Sequence, residues 1–188
     1  MGYVSRYMED PCEDHYTAVK HLLRHVVGTH GYGVVYKKEG GVALTLTGYS
    51  NSDMADDLDG CKSTTSVLFL LGHSPISWQS QKQRVVALST CKAEYIVVAT
   101  VACQGVWLAR LLRKLTNEEL QALTLMVDNK SAISLIKNPA LHDRSKHIDT
   151  RYHFIRDCVA RGQIDPEFVE SEWQLTDILT KPLGHVQF

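Results

Sequence analysis

The stretch Gly48-Tyr49-Ser50-Asn51-Ser52-Asp53 continues a predicted β-strand that begins at Gly41. Side chains alternate between the two faces of a strand, so the two faces can be read separately. One face is apolar and carries Val42, Leu44 and Leu46. The other face is polar and carries Thr45, Thr47, Tyr49, Asn51 and Asp53. This polar face predicts a site that ends in an amide and a carboxylate.

The patterns on either side of this stretch predict a mixed α/β fold. Strands are predicted over 31–38, 41–47, 64–71, 75–80, 123–127 and 168–169, and helices over 11–28, 89–114, 131–137, 147–161 and 175–180. The turn Glu39-Gly40-Gly41 would join the first two strands as a hairpin. The three strands from 41 to 80 predict an antiparallel meander, and the later strands predict right-handed parallel crossovers.

The helix predicted over 89–114 has an apolar stripe, which predicts its buried face. That stripe consists of Ile96, Ala99, Cys103, Trp107 and Leu111. The ring of Trp107, which follows this stripe, is expected in the core. The ring of Trp78, in the strand predicted over 75–80, is expected there too.

Composition limits the classes of function. The chain has 188 residues, of which 44% are hydrophobic, so it can form one large domain or one domain with an appendage. The net charge of −1 excludes a global basic field for nucleic acid. No run of 18 apolar residues stands in the sequence, so no membrane is expected. Five cysteines without C-x-x-C spacing predict reduced thiols and a cytoplasmic or nuclear location.

Four motifs carry a resemblance to a known family. They are Ser89-Thr90-Cys91-Lys92-Ala93-Glu94-Tyr95-Ile96, Val127-Asp128-Asn129-Lys130-Ser131-Ala132, the stretch 146–156 and the stretch 174–183. Together they resemble the ribonuclease H domain of copia-type (Pseudoviridae) retrotransposon Pol polyproteins. The resemblance implies a ribonuclease H-like mixed sheet, an antiparallel three-strand meander plus parallel strands, with flanking helices. It also implies that residues 1–30 are the tail of a reverse transcriptase region and that residues 31–188 form the ribonuclease H-like domain.

The resemblance further implies hydrolysis of RNA in RNA–DNA hybrids with two Mg²⁺ or Mn²⁺ ions held by four acids. Glu94 matches the helix acid of the family, Asp128 the acid at a strand end and Asp177 the terminal acid. The first, bridging acid of the family falls on Asn51, which offers one neutral carbonyl oxygen instead. Asp53 is a second candidate ligand on the same strand face, but two residues along a strand displace it by roughly 6–7 Å.

The partners implied are an RNA–DNA hybrid and the reverse transcriptase region of a parent polyprotein. Candidate nucleic-acid contacts are Lys62, Lys82, Arg84, Arg144 and Lys146. A solvated basic surface without a ligand explains these side chains equally well. Hybrid recognition by shape, through phosphate and 2′-hydroxyl contacts, would suit such a modest set.

Three hypotheses remain open at this point. The chain is a hybrid nuclease impaired at Asn51, a non-catalytic module that binds nucleic acid or packs against a polymerase, or an inert transposon relic. All three require the same fold.

Overall fold

The computed structural model describes residues 4–36, 44–53, 63–83, 86, 90–138 and 149–180. Contacts divide the chain into two compact units, Met1–Lys37 and Lys38–Phe188. The domain boundary expected between residues 30 and 31 stays a prediction.

The first unit contains a 3₁₀ helix, Val4–Tyr7, and helix α1, Glu13–Gly28. The helix predicted over 11–28 is confirmed. At its start the His15 side chain accepts a hydrogen bond from the Cys12 backbone N–H at 3.1 Å. No residue of α1 is buried, and apolar side chains such as Leu23 and Val27 are exposed.

The strand predicted over 31–38 is wrong where the structure describes it. Residues 32–36 have no regular structure. Alternating apolar side chains are not enough to make a strand, because a strand also needs a partner for its backbone groups. Residues 37 and 38 and the predicted turn Glu39-Gly40-Gly41 lie outside the described residues.

The second unit is built on a five-stranded sheet with the order β3-β2-β1-β4-β5. Its strands are β1 Leu46–Asp53, β2 Thr64–Leu71, β3 Ser74–Lys82, β4 Leu123–Val127 and β5 Ile164–Phe168. β1 pairs antiparallel with β2 and parallel with β4, and β4 pairs parallel with β5. The predicted meander followed by parallel strands is therefore confirmed, with β1 at the centre.

Two strand boundaries differ from the prediction. β1 ends at Asp53, as the continued strand predicts, but it begins at Leu46, where its pairing with β2 begins, and residues 44 and 45 are not part of it. β5 covers Ile164–Phe168, so the predicted final strand around Phe168 and Val169 begins earlier and ends at Phe168. Pro166 and its two charged neighbours do not have the residue pattern of a strand, so the sequence did not indicate the start of β5. A proline is tolerated there because β5 is at the edge of the sheet.

Within the described part of the chain, the sheet is flanked by the helices α2 Thr90–Thr116, α3 Lys130–Lys137 and α4 Asp149–Ala160. The predicted terminal helix is a 3₁₀ helix, Leu175–Leu179. On α4 the Cys158 thiol is buried, and burial together with the nearby Cys103 raises its pKa.

The two tryptophans predicted in the core are on the surface, and Cys103 and Leu111 of the stripe predicted to be buried are exposed as well. Trp78 is 55% exposed and Trp107 is 60% exposed. α2 instead turns a face with Gly105 toward the sheet, where a Cβ atom would lie 2.2 Å from Leu123 Cδ2. The sheet can approach the helix this closely only at a glycine, so the tryptophan on the same helix faces away.

α2 is apolar enough to raise the question of a membrane. Ala93–Thr116 has the length and hydropathy of a membrane span, and half of its most apolar window is buried inside the protein. Its buried residues belong to the core that packs on the sheet, so it is the core helix of this unit.

Candidate active site

Buried polar side chains gather around the second half of β1. β4 pairs with β1 only as far as Ser50, so Asn51, Ser52 and Asp53 extend beyond the end of β4. The buried polar residues on or around these strands are Ser50, Asn51, Ser63, Thr65, Ser66, Gln83, Glu94, Gln174 and Thr176. Buried polar groups need hydrogen-bond partners or a ligand, so this cluster is the candidate site.

Asn51 joins β1 to the terminal 3₁₀ helix. Its side chain is 3% exposed, and its Nδ2 donates a hydrogen bond to Asp177 Oδ1 at 2.5 Å. The Asn51 carbonyl accepts from Ser66 Oγ on β2 at 3.3 Å. The structure thus brings together Asn51 and Asp177, which are 126 residues apart in the sequence.

Gln174 holds the terminal segment against β1. Its Nε2 donates to the Ser50 carbonyl at 2.9 Å, and its Oε1 accepts from Thr176 Oγ1 at 2.9 Å. The Gln174 carbonyl also accepts the Asp177 N–H at 3.2 Å. Ser80 Oγ on β3 also donates a hydrogen bond to the Leu179 carbonyl at 2.8 Å. These contacts place Asp177 beside Asn51.

Glu94 reaches the same part of β1 from the first turn of α2. It is 5% exposed, and its Oε1 accepts the Ser52 backbone N–H at 2.7 Å. Because Ser52 follows Asn51, the Glu94 carboxylate and the Asn51–Asp177 bond lie at adjacent positions of one strand. A backbone N–H is available to Glu94 here because β4 has already ended.

Asp128 comes directly after β4 and is half-buried. The last residue of β4, Val127, pairs with Ser50 of β1. Asp128 therefore lies at the same end of the parallel strands as Asn51. Asn129 caps α3, with its Oδ1 accepting the Ala132 N–H at 3.0 Å. The chain therefore uses the end of β4 both to begin a helix and to bring an acid toward β1.

Two divalent ions require several hard oxygen donors close together. Carboxylates such as Glu94, Asp128 and Asp177 are the ligands that Mg²⁺ prefers. An amide NH₂ has no free lone pair for a cation, and the NH₂ of Asn51 is the group turned toward Asp177. Among the residues that the structure describes, no three His, Cys, Asp or Glu side chains are grouped to hold a metal ion. The described donors do not fit two ions.

The other predicted site residues are placed only in part. Asp53 ends β1, but its side chain is outside the described residues. Lys82 ends β3. Lys62, Arg84, Arg144 and Lys146 also lie outside the described residues, so their contacts to nucleic acid stay predictions.

Sequence reasoning missed two glutamines that organise the site, Gln83 and Gln174. Both are buried, at 6% and 5% exposed. Gln174 opens one of the four motifs, which was the available signal. Gln83 is surrounded by polar residues at the end of β3, and nothing in that local pattern distinguishes it from an exposed residue.

Known structures with a similar fold define the class of protein. The LC11 ribonuclease H1 isolated from compost matches with a TM-score of 0.53 and 12% identity, over 72% of this chain and 91% of that chain. The N-terminal ribonuclease H domain of Rv2228c from Mycobacterium tuberculosis matches with a TM-score of 0.50 and 12% identity, over 73% and 91%. The fold is therefore ribonuclease H-like.

Sequence relatives identify the family. The Pol polyprotein from transposon RE2 of Arabidopsis thaliana is 41% identical over 98% of this chain and 13% of its own length. The Pol polyprotein from transposon TNT 1-94 of Nicotiana tabacum is 39% identical over 100% of this chain and 14% of its own length. Secreted RxLR effector protein 161 of Plasmopara viticola is 37% identical over 61% of this chain and 79% of its own length. No protein-family model matches the chain.

The chain belongs to the copia-type retrotransposon Pol family and has the ribonuclease H-like fold. This confirms the resemblance carried by the four motifs. The chain spans only about an eighth of the length of the Pol relatives.

Proposed function

We propose that this chain is the ribonuclease H domain of a retrotransposon Pol polyprotein, that it binds RNA–DNA hybrids, and that Asn51 impairs its hydrolysis of the RNA strand. The observation that carries the proposal is the hydrogen bond from Asn51 Nδ2 to Asp177 Oδ1. It occupies the position at which the family's first acid would face the terminal acid.

With an acid at position 51, Glu94, Asp128 and Asp177 would be the residues to hold divalent ions, which would supply charge stabilisation at the scissile phosphate and an activated water. An aspartate at position 51 would offer an anionic oxygen to the ions. Asn51 has an NH₂ group in its place, and that group already donates a hydrogen bond to the Asp177 carboxylate. If the substitution removes about 3 kcal/mol of transition-state stabilisation, the rate falls roughly a hundredfold. Glu94, Asp128 and Asp177 lie at the same end of the central strands, so an acid at position 51 would complete the four acids that the family's chemistry needs.

The experiment is cleavage of a labelled RNA–DNA hybrid in Mg²⁺ and in Mn²⁺ by the unmodified chain and by Asn51→Asp. We expect the reversion to raise cleavage at least about a hundredfold, as one restored bridging acid implies. Cleavage by the unmodified chain at the rate of the Asn51→Asp variant would overturn the assignment of Asn51 and favour Asp53 as the first ligand.

A non-catalytic role is the second candidate, and the same hydrogen bond favours it. The Asn51–Asp177 bond links β1 to the terminal helix through neutral and anionic partners alone, so this link requires no cation. Hybrid binding by the unmodified chain, with no cleavage by either protein, would support this candidate. Partners would then be the hybrid itself or the polymerase region of the parent polyprotein.

A further inference from the structure

Gln83 is a buried residue just after β3 that the proposed function does not use. It is 6% exposed, and its backbone N–H donates to the Ser63 carbonyl at 2.8 Å. That bond continues the pairing of β2 and β3 by one residue, so the Gln83 backbone is held by the sheet. Its side chain then points into the space between the sheet and the start of α2.

The amide of Gln83 ties three elements together. Its Nε2 lies 3.3 Å from Ser52 Oγ on β1, 3.2 Å from Thr65 Oγ1 on β2 and 3.2 Å from the Ala93 carbonyl on α2. A backbone carbonyl can only accept a hydrogen bond, so the NH₂ side of the amide must be the side that faces Ala93.

Two of these three contacts border Glu94 directly. Ala93 precedes Glu94 in the first turn of α2. Ser52 is the residue whose backbone N–H donates to Glu94 Oε1 at 2.7 Å. Gln83 therefore holds both the peptide that carries Glu94 and the residue that binds its carboxylate.

The same side chain carries a cost to stability. Gln83 Oε1 is buried and has no hydrogen-bond partner among the residues that the structure describes. A buried acceptor without a partner destabilises a fold, and a methionine of similar size would fill the space without that cost. Unlike methionine, the glutamine has an NH₂ group that can donate hydrogen bonds and so orient Ser52 and Ala93.

We infer that Gln83 is a positioning residue, which holds the Glu94 carboxylate toward β1 for the reaction. The inference rests on the proposed function, since that function gives Glu94 its role. Gln83 itself touches no nucleic acid in this arrangement, because it is buried. Loss of a group that orients a ligand of an active site typically lowers activity by about tenfold to a hundredfold.

The first test needs no activity. The amide proton of Ser52 is followed by NMR in the full chain, in Gln83→Met and in Gln104→Met. Gln104 is a matched control. It is a glutamine on α2, the helix that carries Glu94, but it lies far along that helix, where its Nε2 donates a hydrogen bond to Ser77 Oγ on β3 at 2.9 Å. We expect Gln83→Met to speed hydrogen exchange of the Ser52 amide about tenfold and to shift its resonance, as local opening becomes easier. Gln104→Met should leave the Ser52 amide unchanged.

The second test uses cleavage in the Asn51→Asp background. Adding Gln83→Met should lower kcat about tenfold to a hundredfold, which is typical for loss of an orienting partner. The KM for the hybrid should stay the same, and Gln104→Met should leave both constants nearly unchanged. A rise in KM with kcat maintained would overturn the inference, because it would make Gln83 a substrate contact.

The two proposals fail in different ways. If Asn51→Asp does not cleave, the proposed function fails, and the Ser52 amide still decides the role of Gln83. An unchanged Ser52 amide in Gln83→Met would overturn the inference whatever the cleavage result. If Gln83→Met does not fold, Thr65→Val removes one partner of Gln83 and should move the Ser52 amide in the same direction by a smaller factor. An unchanged amide in Thr65→Val would then overturn the inference.

Discussion

The Glu94 side and the Asn51–Asp177 side of this site are held by different chemistry. Glu94 Oε1 accepts a backbone N–H, which any residue at position 52 except proline could donate. Asp177 accepts a side-chain NH₂, which exists only because residue 51 is an asparagine. The first arrangement depends on the fold and the second on one residue. The comparison teaches that a contact made by the backbone survives most changes of side chain, whereas a contact made by one side chain depends on that residue alone.

The largest expected effect tests whether the two sides act as one unit. Adding Glu94→Gln to Asn51→Asp should remove the restored cleavage, a loss of at least about a hundredfold, because each acid is needed to bind the ions. Glu94→Gln in the unmodified chain should change its low cleavage rate little. Single-turnover cleavage of a labelled hybrid measures all four proteins, and equal losses in both backgrounds would show that the sides act independently.

A second effect concerns stability. Asn51→Asp replaces a hydrogen bond to Asp177 with a pair of neighbouring carboxylates, so without divalent cations it should destabilise the fold by about 2 kcal/mol. Mg²⁺ at ten times its dissociation constant should return about 1.4 kcal/mol, which raises the melting temperature by about 3–6 °C.

The unmodified chain is the control, and Mg²⁺ should leave its melting temperature unchanged. Thermal unfolding of both proteins in EDTA and in Mg²⁺ makes the measurement. An equal Mg²⁺ effect on both would contradict the idea that Asn51 closes the site to cations.

Gln174→Met sharpens the comparison on the Asp177 side. It removes the donor to the Ser50 carbonyl and the acceptor for Thr176, both of which are buried, and should destabilise the fold by about 1–2 kcal/mol. It should also free Asp177 to move, while the Ser52–Glu94 bond stays. Urea unfolding gives the first quantity, and hydrogen exchange of the Ser52 amide gives the second. Faster exchange at Ser52 would show that the two sides are coupled through β1.

The smallest expected effect comes from Trp107→Ala, which lies away from both sides. Trp107 is 60% exposed, so its loss should change the free energy of unfolding by no more than about 0.5 kcal/mol. Urea unfolding checks this value and provides the baseline for the other variants. A loss of about 3 kcal/mol or more would instead fit a core tryptophan.

The fold was predictable wherever local pattern and chain order agree. The meander, the long helix and the strand Leu123–Val127 each have a clear period or a compact apolar run, and each is confirmed. The start of β5 was missed because Pro166 and its charged neighbours lack the strand period. The strand predicted over 31–38 failed because its alternation has no pairing partner in the described residues.

The candidate site was predictable in its parts. Their positions in the motifs indicated Glu94, Asp128 and Asp177 as candidates, and the resemblance implied an acid where this chain has Asn51. The direction of the Asn51 amide was not visible, because it depends on Asp177, which arrives from the other end of the chain. Gln83 was missed for the same reason, since its three partners come from three separate elements.

The sequence by itself determined the class of fold, the family and the residues that could carry the chemistry, because these depend on local period, composition and motif order. Only the tertiary structure decided that Gly105 rather than Trp107 faces the sheet, that Asn51 donates to Asp177, and that Gln83 ties Ser52 to Ala93. The physical reason is that burial and hydrogen-bond direction depend on which elements meet in space. That information is shared between distant positions of the chain and is absent from any one of them.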